Sequence, residues 1–363
     1  MAHDITVGLR APYDAPGGAA ALARFAALVD ATSIDRVCVG DHVTFKGGRG
    51  FDGLVNATAL AVMSRRITVQ TAVYLLPLRH PVPVARQVAS LAALAPGRLE
   101  FGVGIGGDDP AETRACGIDP ATRGRRMDEA LTVLRPLLAG GEVTMSGDFF
   151  TLDRVRIHPA PAPAVPIVIG GRSDAALRRV ARHGDGWLGL WVSPGRYAEA
   201  TGRISRYASD AGREVAHWRH GMHVWCAFGT AAAARARLAA AMEDFYRTPF
   251  GKFERYCPCG TPDEIAAGLL PYVDAGCGSF NLIPLADSQE LAIKGTEAVR
   301  AALRGAAARR VTTVRSENSL YKLSILESAD REECHRWPQS RTQSSASSPT
   351  ARSGSSSSTG RRP

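Results

Sequence analysis

The sequence predicts an α/β fold of the (β/α)8 type, a TIM barrel with insertions and a disordered C-terminal tail. Three observations point there. From Ile67 to Gly107 a β-branched run, an amphipathic helical stretch and a second apolar run follow one another, a βαβ unit whose two strands must be parallel. Strand-then-helix pairs of this kind recur eight times before residue 304. The length of 363 residues is one that a barrel with insertions uses as a single unit. An open doubly wound sheet is the alternative that the same alternation allows.

The chain opens on an alternating strand from His3 to Leu9, followed by a helix whose buried stripe is Leu22, Phe25, Ala26 and Val29. Arg36 to Gly40 is the second strand; it delivers Asp41-His42 and a glycine-rich loop, Gly47 to Gly50, ahead of a helix around Leu54 to Met63. Ile67 to Val73 is the third strand. Val84, Val88, Leu91 and Ala95 then recur at helical spacing, with Pro81 and Pro83 at the helix start and Pro96-Gly97 stopping it. Leu99 to Val103 is the fourth strand, and a long loop from Gly104 leads to a helix bearing Met127, Leu131, Leu134 and Leu138 on one face.

Gly140 to Val165 breaks the alternation. Two short runs flank Ser146-Gly147-Asp148, a β-hairpin insertion, and the run PAPAPAVP is an extended connector. Alternation resumes with Pro166 to Ile169, then Gly170-Gly171 and a helix capped by Ser173. Gly186 to Leu190 is the sixth strand, and Tyr197 to Ser209 its helix. His223 to Phe228 is the seventh, followed by an alanine-rich helix from Ala231 to Met242 and an irregular insertion from Phe245 to Gly260. Thr261-Pro262-Asp263-Glu264 opens the next helix, Ser279 to Ile283 is the eighth strand, and Leu291 to Leu303 the last helix. Residues 1–308 make the barrel domain; 309–363 are basic and Ser-rich, with no apolar period to offset the entropy of ordering them.

The net charge of +9 suggests nucleic acid until it is located. Residues 309–363 hold ten Lys/Arg and five Asp/Glu, which leaves 34 against 30 elsewhere, an ordinary balance for an enzyme and no reason to expect nucleic acid. No stretch approaches the roughly 18 apolar residues that span a bilayer, and the N-terminus lacks the order of a signal peptide, so the cytoplasm is the expected compartment. The seven cysteines are scattered without CxxC and read as reduced thiols. The expected partners are a small-molecule substrate and, at most, a second copy of the chain.

Gly102-Val-Gly104-Ile-Gly106-Gly107 matches the dinucleotide fingerprint, but no helix opens directly after it, so its glycines mark a strand end where backbone passes close to something flat. Gly170-Gly171 is the better phosphate site: bare backbone at a strand end, with a helix start at Ser173 aimed at the same spot. Asp41-His42 also ends a strand, where a barrel places its chemistry, and an imidazole there can pass a proton near neutral pH. His217, His220 and His223 are spaced three apart, but a strand points His220 away from the other two and no carboxylate completes a metal set, so no metal is expected.

Together, VGDH (Val39 to His42), TAVYLLPLRHPVPVARQ (Thr71 to Gln87), LAPGRLEFGVGIGG (Leu94 to Gly107), RGRRMDEAL (Arg123 to Leu131), VIGGRSDAALRRVARHGDGW (Val168 to Trp187) and GTPDEIA (Gly260 to Ala266) resemble the bacterial luciferase-like superfamily. Within it they resemble the branch that uses the deazaflavin coenzyme F420. The resemblance runs from about Ile5 to Leu303. It implies a barrel with the cofactor ring across its C-terminal mouth, Asp41 hydrogen-bonding the cofactor and His42 as acid/base. It implies that Ala72-Val73 is a bulge with a non-proline cis peptide behind the ring. Ile105-Gly106, Gly170-Gly171 and Ser173-Asp174 match cofactor-contacting loops. The family's sugar-phosphate dehydrogenases carry a catalytic glutamate where Gly107 stands here; Asp108 is the nearest carboxylate and is taken as the second catalytic candidate.

The resemblance thus implies an F420-dependent oxidoreductase moving a hydride between deazaflavin and a small organic substrate. An FMN-dependent luciferase-like monooxygenase is the alternative, because fold and phosphate site serve both cofactors; Asp-His rather than a longer polar cluster after the second strand favours F420. A non-catalytic flavin-binding protein is the third reading.

Overall fold

The computed structural model describes residues 5–12, 17–48, 52–107 and 109–309. Within them eight parallel strands pair in one closed ring: Thr6–Arg10 (β1), Arg36–Val39 (β2), Thr68–Thr71 (β3), Leu99–Gly104 (β4), Ile167–Gly170 (β5), Gly186–Leu190 (β6), Gly221–Phe228 (β7) and Ser279–Leu285 (β8). β1 pairs with both β2 and β8, and the ring closes where Met222 of β7 lies opposite Gly189 of β6. The fold is the (β/α)8 barrel. Residues 310–363, which hold nearly all of the expected tail, lie outside the described residues, as does Asp108.

Helix starts follow their sequence signals. Ser173 accepts the Ala176 amide at 3.2 Å, and Thr261 and Glu264 form a capping box at the start of Pro262–Asp274. In the helix Pro81–Leu94 the predicted stripe Val84, Val88 and Leu91 is buried, as is Ala95 at its C-cap, and Ala85 and Ala92 widen the buried face. Glu142–Ser146 and Thr151–Arg156 pair antiparallel in a separate two-stranded sheet, the predicted hairpin.

Two readings need correction. The helix after β7 runs Ala231–Tyr246, past Met242, and ends where Arg247 turns left-handed at φ 53°. The stretch after β4 is not all loop either: Pro110–Ala115 is a short helix, with Asp109 accepting the Ala111 amide at 2.9 Å.

The N-terminal end of the barrel is closed by a polar network. Arg36 donates to Glu100 at 2.7 Å, to Thr6 at 3.0 Å and to Ser279 at 2.8 Å; Gln70 and Arg219 also donate to Glu100, each at 2.9 Å. These groups come from five strands and the segment just before β7, and they satisfy one another, as burial requires. Above them Cys38, Ala72, Val168 and Leu188 form a small apolar cluster, with Val73 packed against it.

At the other end β3 is irregular. Val69 and Gln70 pair with Leu99 and Glu100, whereas Tyr74 and Leu75 pair with Val103 and Gly104, so one extra residue bulges between the two stretches. The Ala72–Val73 peptide within it is cis. Alternate glycines of the neighbouring strand make room for this path. A Cβ on Gly102 would overlap the Thr71 carbonyl oxygen, one on Gly104 would stand 2.5 Å from Val73 Cγ2, and one on Gly106 would stand 3.3 Å from a Leu75 methyl. The GxGxG pattern is thus the complement of Thr71, Val73 and Leu75, which explains it without a dinucleotide. Gly102→Ala is expected to lose about 1 to 3 kcal/mol or more, because backbone on the other side of the overlap has little room to move. Urea unfolding checks this against Gly195→Ala, a helical position with nothing within 4 Å of an added Cβ, where stability is expected to hold or rise.

Candidate functional site

β2 delivers Asp41 to the barrel mouth, where its side chain is fully buried. Its carboxylate accepts the Gly53 amide at 2.9 Å, the Leu75 amide at 2.8 Å and both terminal nitrogens of Arg79, Nη2 at 2.9 Å. Burial raises the Asp41 carboxyl above its ordinary value, while Arg79 and the two amides pull against that rise. Arg79 also donates to Asp52 at 3.0 Å, and Asp52 in turn caps the helix Gly53–Met63. Asp41 therefore joins the end of β2, the bulge and the following helix start.

His42 points to a different carboxylate. Its Nδ1 lies 3.0 Å from Oε2 and 3.3 Å from Oε1 of Glu112, in the short helix after β4. Glu112 is itself buried and accepts the Val43 and Thr44 amides at 2.5 and 3.2 Å. Burial would raise the Glu112 carboxyl, but His42 and these amides outweigh it and hold it below the ordinary glutamate range. An ionised carboxylate only accepts, so Nδ1 must be the donor and Nε2 becomes the ring atom that can exchange a proton. The imidazole stacks on Phe45 at 4.1 Å between centroids, and Phe245 closes its edge at 6.4 Å.

Sequence reasoning missed Glu112, although Asp109-Pro110-Ala111-Glu112 carries the cap, the first-turn proline and the first-turn acid of a helix. It lies five positions beyond Gly107. The local helix was legible; that its glutamate meets His42, 70 residues away, was not.

A cavity of about 640 Å³ opens at this mouth. Asp41, His42, Ala72, Val73, Gly106 and Glu112 are among its walls, and Trp225, Phe245, Tyr246 and Ile283 give it a largely apolar far side. A second cavity, of about 380 Å³, lies by the turn after β5 and has the opposite character: Arg172, Arg196, Arg203 and Arg255 line it against Glu199 alone. Arg172 and Arg255 have no carboxylate partner among the described residues; Arg172 lies 5.5 Å over the Trp191 ring, and Trp191 meets Tyr246 edge-on at 4.8 Å between the two cavities. Trp191 has φ 52°, a left-handed conformation that is uncommon for a bulky residue.

The turn itself is held from beneath. Trp187 Nε1 donates to the Gly171 carbonyl at 2.7 Å, and Gly171 sits at φ 129° with Ala176 Cβ 2.7 Å from where its own Cβ would stand. Gly170 lies against Val73, whose Cγ1 would be 3.2 Å from a Cβ there. Both glycines are therefore demanded by packing before any ligand is considered. Ser173 is the helix cap, and Asp174 is exposed, accepting from Arg178 at 2.8 Å, from Tyr207 at 2.6 Å and from Arg203. Ile105 packs against the core. Ile105, Gly170, Gly171, Ser173 and Asp174 are not among the walls of either cavity. His223 is in β7 and His220 just before it, and no cluster able to hold a metal occurs among the described residues.

Residues 5–278 match the luciferase-like monooxygenase family, and the chain belongs to it. An uncharacterised protein of Mycobacterium tuberculosis is 35% identical over 170 residues, 47% of this chain and 58% of that protein. The F420-dependent glucose-6-phosphate dehydrogenase of Microbacterium testaceum is 30% identical over 194 residues, 51% of this chain and 57% of that enzyme. The chain thus spans a little over half the length of these curated relatives. In fold it resembles an F420-dependent secondary alcohol dehydrogenase solved with an F420-acetone adduct, with a TM-score of 0.70 at 20% identity over 83% of this chain and 99% of that one. Monooxygenases, one of them with FMN bound, are among the further matches. No helix among the described residues is long and apolar enough to cross a membrane.

The His42–Glu112 pair has a signature in pH. A carboxyl whose folded value lies below its unfolded one stabilises the fold above the unfolded value, and that contribution is lost as the pH falls through the folded value. Glu112→Gln is expected to lower the melting temperature at neutral pH, with the gap from the wild type narrowing as the pH falls below 4.5, the ordinary glutamate value. Parallel melts of the two proteins across that range check the sign.

Proposed function

We propose that the protein is an oxidoreductase that uses coenzyme F420 to move a hydride to or from a small organic substrate, with His42 handling the accompanying proton. The observation that carries this reading is the His42–Glu112 pair, an imidazole held by a carboxylate on the wall of a largely apolar cavity beside the Ala72–Val73 bulge. The residues present suit such a coenzyme: bulge backbone and apolar side chains for a flat ring, and a neighbouring arginine-rich cavity for a phosphate-bearing chain.

Bound there, F420 would supply the two-electron hydride chemistry. Ala72, Val73 and Gly106, which line the mouth cavity, would back the ring, with Asp41 holding the bulge in place from behind through the Leu75 amide; Ile105 packs against the core beneath them. Gly170, Gly171, Ser173 and Asp174 form the turn that brings Arg172 to the phosphate-bearing chain. Glu112 keeps Nδ1 of His42 protonated, so Nε2 gives or takes the substrate proton. The carboxylate role thus goes to Glu112; Asp108 lies outside the described residues.

An FMN-dependent monooxygenase is the second reading, favoured by the family that matches and by the FMN-bound enzyme of the same fold. Trp225 and Trp191 line the two cavities, so protein fluorescence reports on both. Separate titrations with F420 and FMN are expected to show saturable quenching with F420; binding of FMN alone would overturn the choice. His42→Ala is expected to keep its F420 affinity and lose about 10²- to 10⁴-fold in turnover, followed as F420 absorbance with glucose 6-phosphate and a secondary alcohol as trial substrates. A fully active His42→Ala protein would exclude the acid/base role.

A further inference from the structure

His223 is a buried polar group at the barrel mouth that the reading above leaves unused. It comes from β7, is 7% exposed, and reaches the mouth cavity. Nδ1 has no hydrogen-bond partner, and no hydrogen bond or ion pair of either ring nitrogen occurs among the described residues. A polar ring in this position is costly unless something satisfies it, and buried groups of this kind in native proteins are nearly always paired. Burial, with Arg10 adding to it, pushes the imidazole down to about 3, so it is neutral at working pH and can donate one hydrogen bond and accept another.

Its surroundings narrow the ligand. Trp225, Phe245, Tyr246, Ile283 and Ile293 make the neighbouring wall apolar and aromatic. Two arginines, Arg10 and Arg247, face three carboxylates, Asp41, Glu112 and Asp244, so the cavity has no surplus positive charge for a phosphomonoester. The surplus lies in the second cavity instead.

We infer that His223 is a substrate-binding residue, whose neutral ring hydrogen-bonds the single carbonyl or hydroxyl oxygen of an uncharged substrate with an apolar ring body. This rests on the functional reading above in one respect, that the mouth cavity is where substrate binds. A sugar phosphate is the wrong ligand for this wall.

The test uses the full chain, with and without F420, and two variants, His223→Phe and His223→Gln. Calorimetry with cyclohexanone and with glucose 6-phosphate as probes gives binding, and fluorescence gives F420 affinity. Cyclohexanone is expected to bind the wild type, to bind His223→Phe about tenfold more weakly, and to recover in His223→Gln, which keeps a neutral donor and acceptor. F420 affinity is expected to be the same in all three proteins. The melting temperature of His223→Phe is expected to hold or rise, since an unpaired polar ring is replaced by an apolar one; a structural histidine would show a fall instead. Equal cyclohexanone affinity in His223→Phe would overturn the inference, as would absence of cyclohexanone binding to the wild type, tighter binding of glucose 6-phosphate, or loss of F420 affinity in His223→Phe. If the wild type binds no F420, the proposed cofactor fails, while cyclohexanone titration of the cofactor-free proteins still decides the role of His223.

Discussion

The Asp41 carboxylate is the interaction on which the barrel mouth depends. Three segments meet on it: the start of the helix Gly53–Met63 through the Gly53 amide, the strand beyond the bulge through the Leu75 amide, and the loop before Pro81 through Arg79. Breaking a buried pair of this kind by removing one partner costs about 3 to 5 kcal/mol, because the other charge is left uncompensated. The adjacent residue can then carry chemistry. His42 inherits its position from a neighbour that is locked from several directions.

Steric complementarity does the equivalent work on the other side of the mouth. The bulge after Thr71 exists because Gly102, Gly104 and Gly106 leave space for Thr71, Val73 and Leu75 in turn, and Gly170 leaves space for the far side of Val73. Glycines at four places, on two strands or just after one of them, thus serve one stretch of a third. Of these glycines Gly106 also stands at the wall of the mouth cavity, beside Ala72, Val73 and Leu75 of the bulge.

The two cavities divide polarity between them. The mouth cavity is mainly apolar with no surplus positive charge, while its neighbour is rich in arginine; Trp191 and Tyr246, in edge-to-face contact, stand between. A ligand with a flat apolar part and an anionic part matches that division better than a uniformly polar one. The His42–Glu112 pair belongs to the apolar side, where a low dielectric strengthens the hold of Glu112 on His42.

Much of this was legible in the amino-acid order. Periods of two and 3.6, proline and glycine punctuation, and the capping residues Ser173 and Thr261 determined the eight βα repeats and the hairpin, because those signals act within a few residues of one another. The motifs placed Asp41, His42 and the two glycine turns at strand ends. Tertiary structure alone decided which groups face each other: Glu112 against His42, Arg79 and Leu75 on Asp41, and His223 without a partner at the cavity wall. Those pairings join strand ends and loops far apart in the chain, and their distances follow from where the closed ring brings each strand end, a property no local pattern encodes.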